Sequence, residues 1–300
     1  MKDVSIIIVN YNTCKMTFEC ICSIFENTQN VDYEVILVDN ASTDGSKEFF
    51  ERDNRITYIY SSENLGFGRA NNLGAESSHG KYLFLLNSDT IVKNNAVKIF
   101  YDYMEKVSDD IGCCGCMLKD RSGKFIHSYG DRHTFSNSLY EWIVYPVTHK
   151  LGMEKELKKY FNPMISDYPV EVGFVTGADV FLRRKVYEEC GLFDSDFFMY
   201  YEDAEMARRW QKAGYKNMII KGPEIIHLVG GSRSKSKLKR ASMIMKSMFL
   251  YFEKDRGEFQ SLWFKRFFKF SYILSFFLLF PAQRGSRHDK IEHIKDVIQL

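Results

Sequence analysis

The sequence predicts an α/β fold in which a mostly parallel sheet carries helices on both faces. Three short, almost uninterrupted apolar runs lead to this prediction: Val4–Val9, Glu34–Val38 and Tyr82–Leu86. Such runs are typical of strands that are buried on both faces of a parallel sheet. Each run ends in polar residues, and helical patterns alternate with the strands, which indicates a nucleotide-binding α/β layer.

The remaining elements of the N-terminal half follow from turn and cap signals. The first strand stops at Asn10–Thr13, and Thr13 is predicted to cap a helix that continues to about Glu26. Residues 64–75 are rich in glycine and are expected to enter another helix. Between these two helices, the sequence predicts a helix over Ser46–Arg52 and a short strand over Ile56–Tyr60.

The third apolar run, Tyr82–Leu86, ends abruptly in Asn87–Asp89. Ligands of open α/β sheets bind outside the carboxyl ends of the strands. A carboxylate at this position, Asp89, with the small polar Asn87 and Ser88 beside it, suits Mg²⁺ or Mn²⁺ bound together with the phosphates of a substrate. The alternative is that these residues only form a turn and cap the helix predicted over Asn94–Lys106.

Two further features of this half are candidates for binding a nucleotide. Asp39 follows the second strand, where a carboxylate can accept a hydrogen bond from the imide N–H of uracil or thymine; for Asp44 we favour a capping role. Gly66-Phe67-Gly68 is no dinucleotide fingerprint, but its backbone N–H groups and Arg69 are suited to a phosphate. A tight turn with a surface arginine is an equally good interpretation of the second feature.

The second half contains a group of acidic residues at one predicted helix start. Glu202, Asp203 and Glu205 follow a stretch with four aromatic residues, and a carboxylate beside apolar walls is a candidate general base. The helix dipole also favours acids there, which is the alternative explanation. His227 lies on an apolar segment and is by default a core histidine. The aromatic stretch 127–168 is either an acceptor-binding loop or ordinary packing.

Composition limits the partners and the compartment. The 300 residues carry a net charge of +2, but residues 232–270 hold eleven Lys/Arg against three acids, whereas residues 1–231 carry −7. A basic segment of this kind indicates a polyanionic partner, either an anionic membrane or nucleic acid. The seven cysteines include no CxxC pair, which favours free thiols in a reducing cytosol. The first strand begins at Val4, which leaves no room for a signal peptide.

Taken in order, these motifs resemble the inverting glycosyltransferases of family 2, which have the GT-A fold, and especially the rhamnosyltransferase-like bacterial members that build polysaccharides. The resemblance covers about residues 3–255. The ordered set is specific, although each motif is modest alone. The five motifs are Ser5–Asn12, Val38–Ser46, Asn64–Gly68, Leu86–Asp89 and Phe197–Asp203.

The resemblance implies a catalytic GT-A domain over residues 1–231 and a role for each motif. Asp39 is expected to recognise the nucleotide base, and the backbone near Val9 and Asn10 is expected to line the nucleoside pocket. Asp89 and His227 are expected to ligate Mg²⁺ or Mn²⁺, and Asp203 is expected to be the catalytic base. The remaining residues assigned to the site are Gly66, Arg69, Asn87 and Ser88 on the donor side and Thr176, Gly177, Ala178 and Glu202 on the acceptor side, with Asp179 supporting the acceptor residues.

Two departures from the family pattern have consequences. The metal motif often begins with an acid, but here its first residue is Asn87, so fewer carboxylates are expected to hold the cation. Processive members carry Gln-x-x-Arg-Trp, and this chain has Met206–Trp210 without the glutamine. The longest apolar stretch, Phe270–Ala282, is shorter than the ~20 residues that a spanning helix needs. We therefore expect transfer of a single sugar.

Residues 232–300 are predicted to form a basic, aromatic helical extension. Leu262–Phe270 interleaves Lys and Arg with Phe and Trp and leads into an apolar run, a pattern typical of helices in a membrane interface. The extension is therefore expected to bind an anionic membrane surface at the cytoplasmic face. The alternative is a helical hairpin packed on the core or on a second subunit of a homo-oligomer. Nucleic acid is disfavoured because no recognition module is visible.

Two other functions remain as competitors. A nucleotidyltransferase that makes the activated sugar would need a phosphate-binding glycine-rich loop after the first strand, and Asn10–Thr13 offers none. A non-catalytic binding module on the same scaffold would fold and recruit partners without turnover. The simultaneous presence of Asp39, Asp89, Asp203 and His227 argues against it.

Overall fold

The computed structural model describes residues 2–150, 167–228, 237–279 and 287–300. Within these ranges the chain forms two compact units. The first unit contains residues 2–132 and 167–228, and the second contains residues 133–150, 237–279 and 287–300. The predicted boundary after residue 231 lies outside the described residues.

Twelve strands are found in the described part of the first unit. They are β1 Val4–Asn10, β2 Tyr33–Asn40, β3 Thr57–Ser61, β4 Tyr82–Asn87, β5 Thr90–Val92, β6 Ile111–Cys116, β7 Tyr129–Gly130, β8 Val170–Val172, β9 Phe174–Val175, β10 Asp179–Arg183, β11 Lys216–Ile220 and β12 Ile225–His227. Eight of them form one sheet in the order β3-β2-β1-β4-β10-β6-β11-β8, in which β10 and β8 run antiparallel to their neighbours. Two small antiparallel pairs, β12 with β5 and β7 with β9, lie beside it.

Helices of the first unit connect its strands and cover both faces of the sheet, and the second unit is built from further helices. In chain order they are α1 Cys14–Asn27, α2 Ser46–Phe50, α3 Phe67–Glu76, α4 Ala96–Lys106, α5 Phe135–Leu139, α6 Tyr145–Lys150, α7 Arg184–Cys190, α8 Glu202–Lys212, α9 Lys237–Arg256, α10 Glu258–Leu279 and α11 Arg287–Gln299, and a π-helical turn, Tyr140–Val144, joins α5 to α6. Ile6 and Ile8 share one buried cluster with residues of α1 and α4. Ile7 points to the opposite face, where it meets Gly74 of α3, because side chains alternate along a strand.

The α/β prediction is confirmed, and the large apolar runs form strands where the pattern placed them. One local prediction is wrong. Thr13 is the N-cap residue of α1, but its hydroxyl makes no capping hydrogen bond and instead donates to Asn10 Oδ1 at 2.9 Å. Asp44 Oδ2 accepts from the backbone N–H of Cys14 at 2.9 Å, so a residue of the next loop satisfies this helix start.

The second unit is a helical core built from aromatic side chains. The ring of Phe135 stacks on Phe264 with centroids 4.3 Å apart and meets Phe252 at 4.7 Å. The short helical segment 135–150 therefore belongs to the same unit as the C-terminal helices. For residues 127–168 the sequence left open an acceptor-binding loop or ordinary packing, and this segment is packed. Residues 151–166 lie outside the described part. No helix among the described residues has the length and apolarity needed to cross a membrane.

Candidate active site

The carboxyl ends of β2, β1 and β4 lie side by side at one edge of the sheet. Asn10 pairs with Asp39, and Val9 pairs with Asn87, so the strand register brings the polar residues that follow these strands together. Strands of a parallel sheet all end at the same edge, which is where ligands of open α/β folds bind. The three N-terminal motifs thus meet at one place.

Asp39 is fully buried and both carboxylate oxygens accept hydrogen bonds. Oδ1 accepts from the backbone N–H of Ser42 at 3.0 Å and from Asn10 Nδ2 at 3.5 Å, whereas Oδ2 accepts from the hydroxyl of Tyr58 at 2.8 Å. Burial, with the neighbouring Asp39 as a second cause, raises the pKa of Tyr58, so Tyr58 stays a neutral donor. This arrangement fixes the orientation of the carboxylate at the strand end.

The side chain of Asn10 is buried, and both its oxygen and its nitrogen are hydrogen-bonded to neighbouring side chains. Its Oδ1 accepts from the hydroxyls of Thr13 and Thr17 at 2.9 and 2.8 Å, and its Nδ2 donates to Ser42 Oγ at 3.0 Å. Thr13 Oγ also lies 3.2 Å from the hydroxyl of Ser88. The side chain of Asn10 is therefore taken up by protein contacts, whereas Val9 beside it is half-buried.

The structure brings Asp89 and His227 together from distant parts of the sequence. β5 and β12 pair antiparallel, with His227 opposite Thr90, and the backbone N–H of Leu228 donates to the carbonyl of Asp89 at 2.8 Å. His227 Nε2 lies 3.1 Å from Asp89 Oδ1 and 3.5 Å from Asn87 Nδ2. Both side chains are mostly buried, each with 13% of its surface exposed.

These two side chains fit a divalent cation that also binds substrate oxygens. An imidazole nitrogen and a carboxylate oxygen about 3 Å apart can share one ion, since metal–ligand bonds for these atoms are about 2.0–2.2 Å long. Among the residues that the structure describes, no group of three or more His, Cys, Asp or Glu side chains is arranged to hold a metal. Asp89 and His227 would leave the other coordination positions to phosphate and water, as Mg²⁺ commonly requires.

Gly66 and the aromatic loop before α8 are in tight contact. A Cβ atom added to Gly66 would lie 2.5 Å from the carbonyl oxygen of Phe198, and the backbone N–H of Phe67 donates to that oxygen at 3.2 Å. Gly66 has φ +82° and ψ 180°, a conformation open almost only to glycine. Arg69 lies on the first turn of α3 and is exposed.

The turn over residues 176–178 connects the β4 end to the start of α8. The backbone N–H of Asn87 donates to the carbonyl of Ala178 at 3.1 Å. The backbone N–H of Gly177 donates to Asp203 Oδ2 at 3.2 Å. A Cβ on Gly177 would lie 2.9 Å from the ring of Phe67, so a larger residue at this position would displace the ring. The hydroxyl of Thr176 is buried and has no hydrogen-bond partner among the described residues.

Asp203 and Glu202 form an acidic pair at the start of α8. Burial raises the pKa of Asp203, although hydrogen bonds from the N–H groups of Gly177 and Ala204 and the charge of His127 act in the opposite direction. Burial and the neighbouring Asp203 raise the pKa of Glu202 to about 8, and its Oε2 has no hydrogen-bond partner in the described ranges. The two carboxyl groups thus differ in hydrogen bonding, which gives them different proton affinities.

Backbone strain is concentrated directly before this acidic pair. Tyr200 and Tyr201 have φ values of 73° and 64°, and two successive left-handed residues other than glycine are costly. Tyr201 is the N-cap residue of α8, so this conformation sets the direction in which Glu202 and Asp203 leave the loop. Strain of this kind occurs mainly where a site needs a fixed geometry.

Some residues of the site could not be found from the sequence. Tyr58 approaches Asp39 only because β3 pairs with β2 in a particular register, and no motif marks it.

Asp179 was expected to support the acceptor side. It is fully buried, its Oδ2 accepts from the N–H of Cys116 at 2.8 Å, and burial raises its pKa to about 8. All seven cysteines lie within the described ranges and are free thiols.

Comparison with known proteins identifies the family. The family model described as glycosyl transferase family 2 matches residues 5–191, and the chain belongs to this family. The chain is 34% identical over 113 residues to glycosyltransferase GlyG of Streptococcus pneumoniae, an alignment that covers 36% of this chain and 37% of GlyG. It thus spans only about a third of the length of that relative.

A second relative aligns over more of its length. The N-acetylglucosaminyl-diphospho-decaprenol L-rhamnosyltransferase of Mycobacterium tuberculosis is 23% identical over 245 residues, which covers 72% of this chain and 73% of the relative. Among solved structures, mannosyltransferase PcManGT from Pyrobaculum calidifontis, in complex with GDP-Man and Mn²⁺, superposes with a TM-score of 0.59 at 15% identity, over 100% of this chain and 82% of that one. This likeness confirms the GT-A fold that the motifs predicted.

Proposed function

We propose that this protein is a metal-dependent, inverting glycosyltransferase that moves one sugar from a UDP- or dTDP-sugar to a saccharide or lipid-linked acceptor in the synthesis of a cell-surface polysaccharide. The turn over residues 176–178 carries this proposal. The carbonyl of Ala178 accepts from Asn87, two residues before Asp89, and the N–H of Gly177 donates to Asp203. The strand end that leads to Asp89 and the candidate base Asp203 are therefore hydrogen-bonded to the same short segment.

The donor side of the site has a part for each portion of a nucleotide-sugar. Asp39 and the backbone of Val9 and Asn10 would bind the nucleoside. The exposed guanidinium of Arg69, at the glycine-rich start of α3, would bind phosphate. A divalent cation held by Asp89 and His227, Mg²⁺ or Mn²⁺, would stabilise the negative charge that develops on the diphosphate leaving group.

Asp203 would accept the proton of the acceptor hydroxyl as that oxygen attacks the sugar. Its oxygens accept from the N–H groups of Gly177 and Ala204, which orient the carboxylate and still leave lone pairs for the incoming proton. One displacement with one base inverts the configuration at the sugar carbon, whereas retention through a covalent intermediate needs a second, nucleophilic carboxylate. Thr176, Gly177, Ala178 and Glu202 would face the acceptor.

Transfer of a single sugar is the form of the reaction that we favour. In this chain the Arg-Trp pair of the processive motif has structural partners: Arg209 Nε donates to Glu205 at 2.7 Å, and Trp210 Nε1 donates to the carbonyl of Gly191 at 3.0 Å. Trp210 is fully buried, so it would not present its ring to a growing polymer. The protein would work peripherally at the cytoplasmic face of the membrane, where lipid-linked acceptors are found.

Replacement of the base tests the proposal. The protein is incubated with Mn²⁺, a set of UDP- and dTDP-sugars, and an N-acetylglucosaminyl-diphospho-lipid acceptor of the kind that the name of the mycobacterial relative gives. Asp203→Asn should lower the rate of transfer by at least about 10²-fold, within the range for loss of a general base, and leave nucleotide affinity unchanged. Asp196→Asn, the same change at an exposed aspartate of the preceding loop, is the control.

The outcomes separate the competing functions. Full activity of Asp203→Asn would contradict the assignment of the base. Binding of a nucleotide without turnover of any donor would favour a non-catalytic module. Release of diphosphate during formation of a nucleotide-sugar from a nucleoside triphosphate would favour a nucleotidyltransferase.

A further inference from the structure

Helix α10 is apolar on two opposite faces. On one face, buried aromatic rings recur every four residues at Phe264, Phe268, Tyr272 and Phe276. The ring of Phe268 meets Phe249 of α9 at 5.5 Å, and the hydroxyl of Tyr272 lies 3.0 Å from His293 Nε2 of α11. This face is the core of the helical unit.

The other face of α10 carries what we call the exposed aromatic stripe. Its members are between 44% and 75% exposed and, apart from the adjacent Leu262 and Trp263, follow one another at spacings of three or four residues: Phe259, Leu262, Trp263, Phe267, Phe270, Leu274 and Phe277. An aromatic side chain has about 150–250 Å² of surface, so the stripe exposes on the order of 800 Å². A helix that is apolar all round is normally buried all round, and a patch of this size marks an interaction surface.

The charges on α10 indicate what covers the stripe. The helix contains three basic residues and one acid, Glu258, which is its first residue and lies outside the stripe. Arg266 is exposed and lies within the stripe, three residues after Trp263 and four before Phe270. The other two bases bend toward the unit itself: Lys265 lies 5.5 Å from the ring of Phe249, and Lys269 donates to the carbonyl of Ile298 at 3.0 Å.

A second copy of the chain is a poor occupant for this surface. In a twofold contact, each stripe would face another stripe, so Arg266 would be buried against a surface that contains no acid. Burial of an unpaired charge is costly, and charged residues are depleted from the cores of protein interfaces. At a bilayer, by contrast, Arg266 can extend its guanidinium to the lipid phosphates while its neighbours enter the acyl region.

We propose that α10 lies in the plane of an anionic lipid bilayer with the exposed aromatic stripe immersed in the headgroup–acyl boundary and Arg266 bound to lipid phosphates. This rests on the proposed function only in that a lipid-linked acceptor would lie in the same membrane. The 22 residues of α10 span about 33 Å, so the immersed face is long enough to orient the unit on a membrane. Trp263, near the middle of the first half of the helix, would sit at headgroup depth.

Vesicle binding by the full chain tests this assignment. The probes are vesicles of phosphatidylcholine and of phosphatidylcholine with about a quarter phosphatidylglycerol. We expect the triple variant Trp263→Ser, Phe267→Ser, Phe270→Ser to lower affinity for the anionic vesicles at least about tenfold. Phe125→Ser, at an aromatic residue 53% exposed in the first unit, should leave it unchanged. Because all three positions are exposed, the triple variant should keep the thermal stability of the wild type.

Charge and depth are tested separately. Arg266→Glu should weaken anionic binding several-fold, whereas Lys93→Glu, at an exposed lysine of the first unit, should not. Vesicles with brominated acyl chains should quench the tryptophan fluorescence of the wild type. Trp263→Phe should lose the quenched part of that fluorescence. Wild-type binding by the triple variant, equal affinity for neutral and anionic vesicles, or a wild-type dimer that the triple variant converts to a monomer would overturn the proposal. Transfer to a short-chain, water-soluble acceptor should be the same in the triple variant and wild type, so failure here is distinct from failure of the proposed reaction.

Discussion

Substitution of Gly66 should disturb the contact between the start of α3 and the loop that precedes Asp203, the candidate base. Gly66→Ala would place a Cβ atom 2.5 Å from the carbonyl oxygen of Phe198 and 2.8 Å from its ring. Something must move, and Phe198 lies only five residues before Asp203. Gly45 offers a matched control because its φ of +85° is nearly the same as the +82° of Gly66, yet a Cβ there would meet no atom within 4 Å.

The magnitudes follow from these geometries. At Gly45, with ψ 6°, alanine pays only for the left-handed conformation, about 1–2 kcal/mol. At Gly66, with ψ 180°, a conformation almost restricted to glycine costs about 1–3 kcal/mol, and overpacking against Phe198 costs about 1–3 kcal/mol more. Gly66→Ala should therefore destabilise the protein by roughly 2–6 kcal/mol, clearly more than Gly45→Ala.

Urea unfolding and steady-state kinetics measure the two effects. We expect a lower urea midpoint for Gly66→Ala than for Gly45→Ala with the same m value, and a lower kcat because the loop before Asp203 shifts. Gly45→Ala should keep the wild-type kcat. An equal loss of stability in the two variants, or an unchanged kcat in a folded Gly66→Ala, would refute the inferred contact and the positioning that follows from it.

Two further predictions concern buried carboxyl groups. Tyr58→Phe removes the donor 2.8 Å from the buried Asp39, so it should lower the free energy of unfolding by about 1–3 kcal/mol, whereas Tyr60→Phe, at a tyrosine 41% exposed, should change it little in the same urea titration. Burial raises the pKa of Asp179 from 3.8 to about 8, so between these pH values the native state holds a proton that the unfolded state has released. The free energy of unfolding should therefore fall as pH rises from about 4 to 8, and in Asp179→Asn the melting temperature should fall less over this range. A pH dependence in Asp179→Asn as steep as that of the wild type would contradict the second prediction.

The sequence predicted strands, turns and the residues at strand ends well, because a short local pattern determines where these features lie. Apolar runs marked the strands, and the polar residues that follow them, Asp39 and Asp89, had to lie at the same sheet edge because parallel strands end together. The glycine at position 66 likewise marked a turn. These features depend on a few neighbouring residues, so one sequence is enough to predict them.

Features that depend on pairing register or on distant contacts were out of reach. Tyr58 reaches Asp39 from a neighbouring strand, and Asp44 satisfies the start of α1 from a different loop. The placement of residues 135–150 among the C-terminal helices rests on rings, such as Phe135 and Phe264, that are far apart in sequence. The pattern of α10 predicted an amphipathic helix, but only the packing separates its buried aromatic face from its exposed one.

Calorimetric titration with nucleoside diphosphates is the most direct test of the central claim, that the carboxyl ends of β1, β2 and β4 form a metal-dependent nucleotide-sugar site. UDP and dTDP are titrated with and without Mn²⁺ into the wild type, His227→Ala and the exposed control His79→Ala. We predict that Mn²⁺ strengthens binding of one pyrimidine diphosphate at least about tenfold, or ~1.4 kcal/mol, and that only His227→Ala abolishes this gain. Binding that is independent of Mn²⁺, or a gain that survives in His227→Ala, would contradict the account.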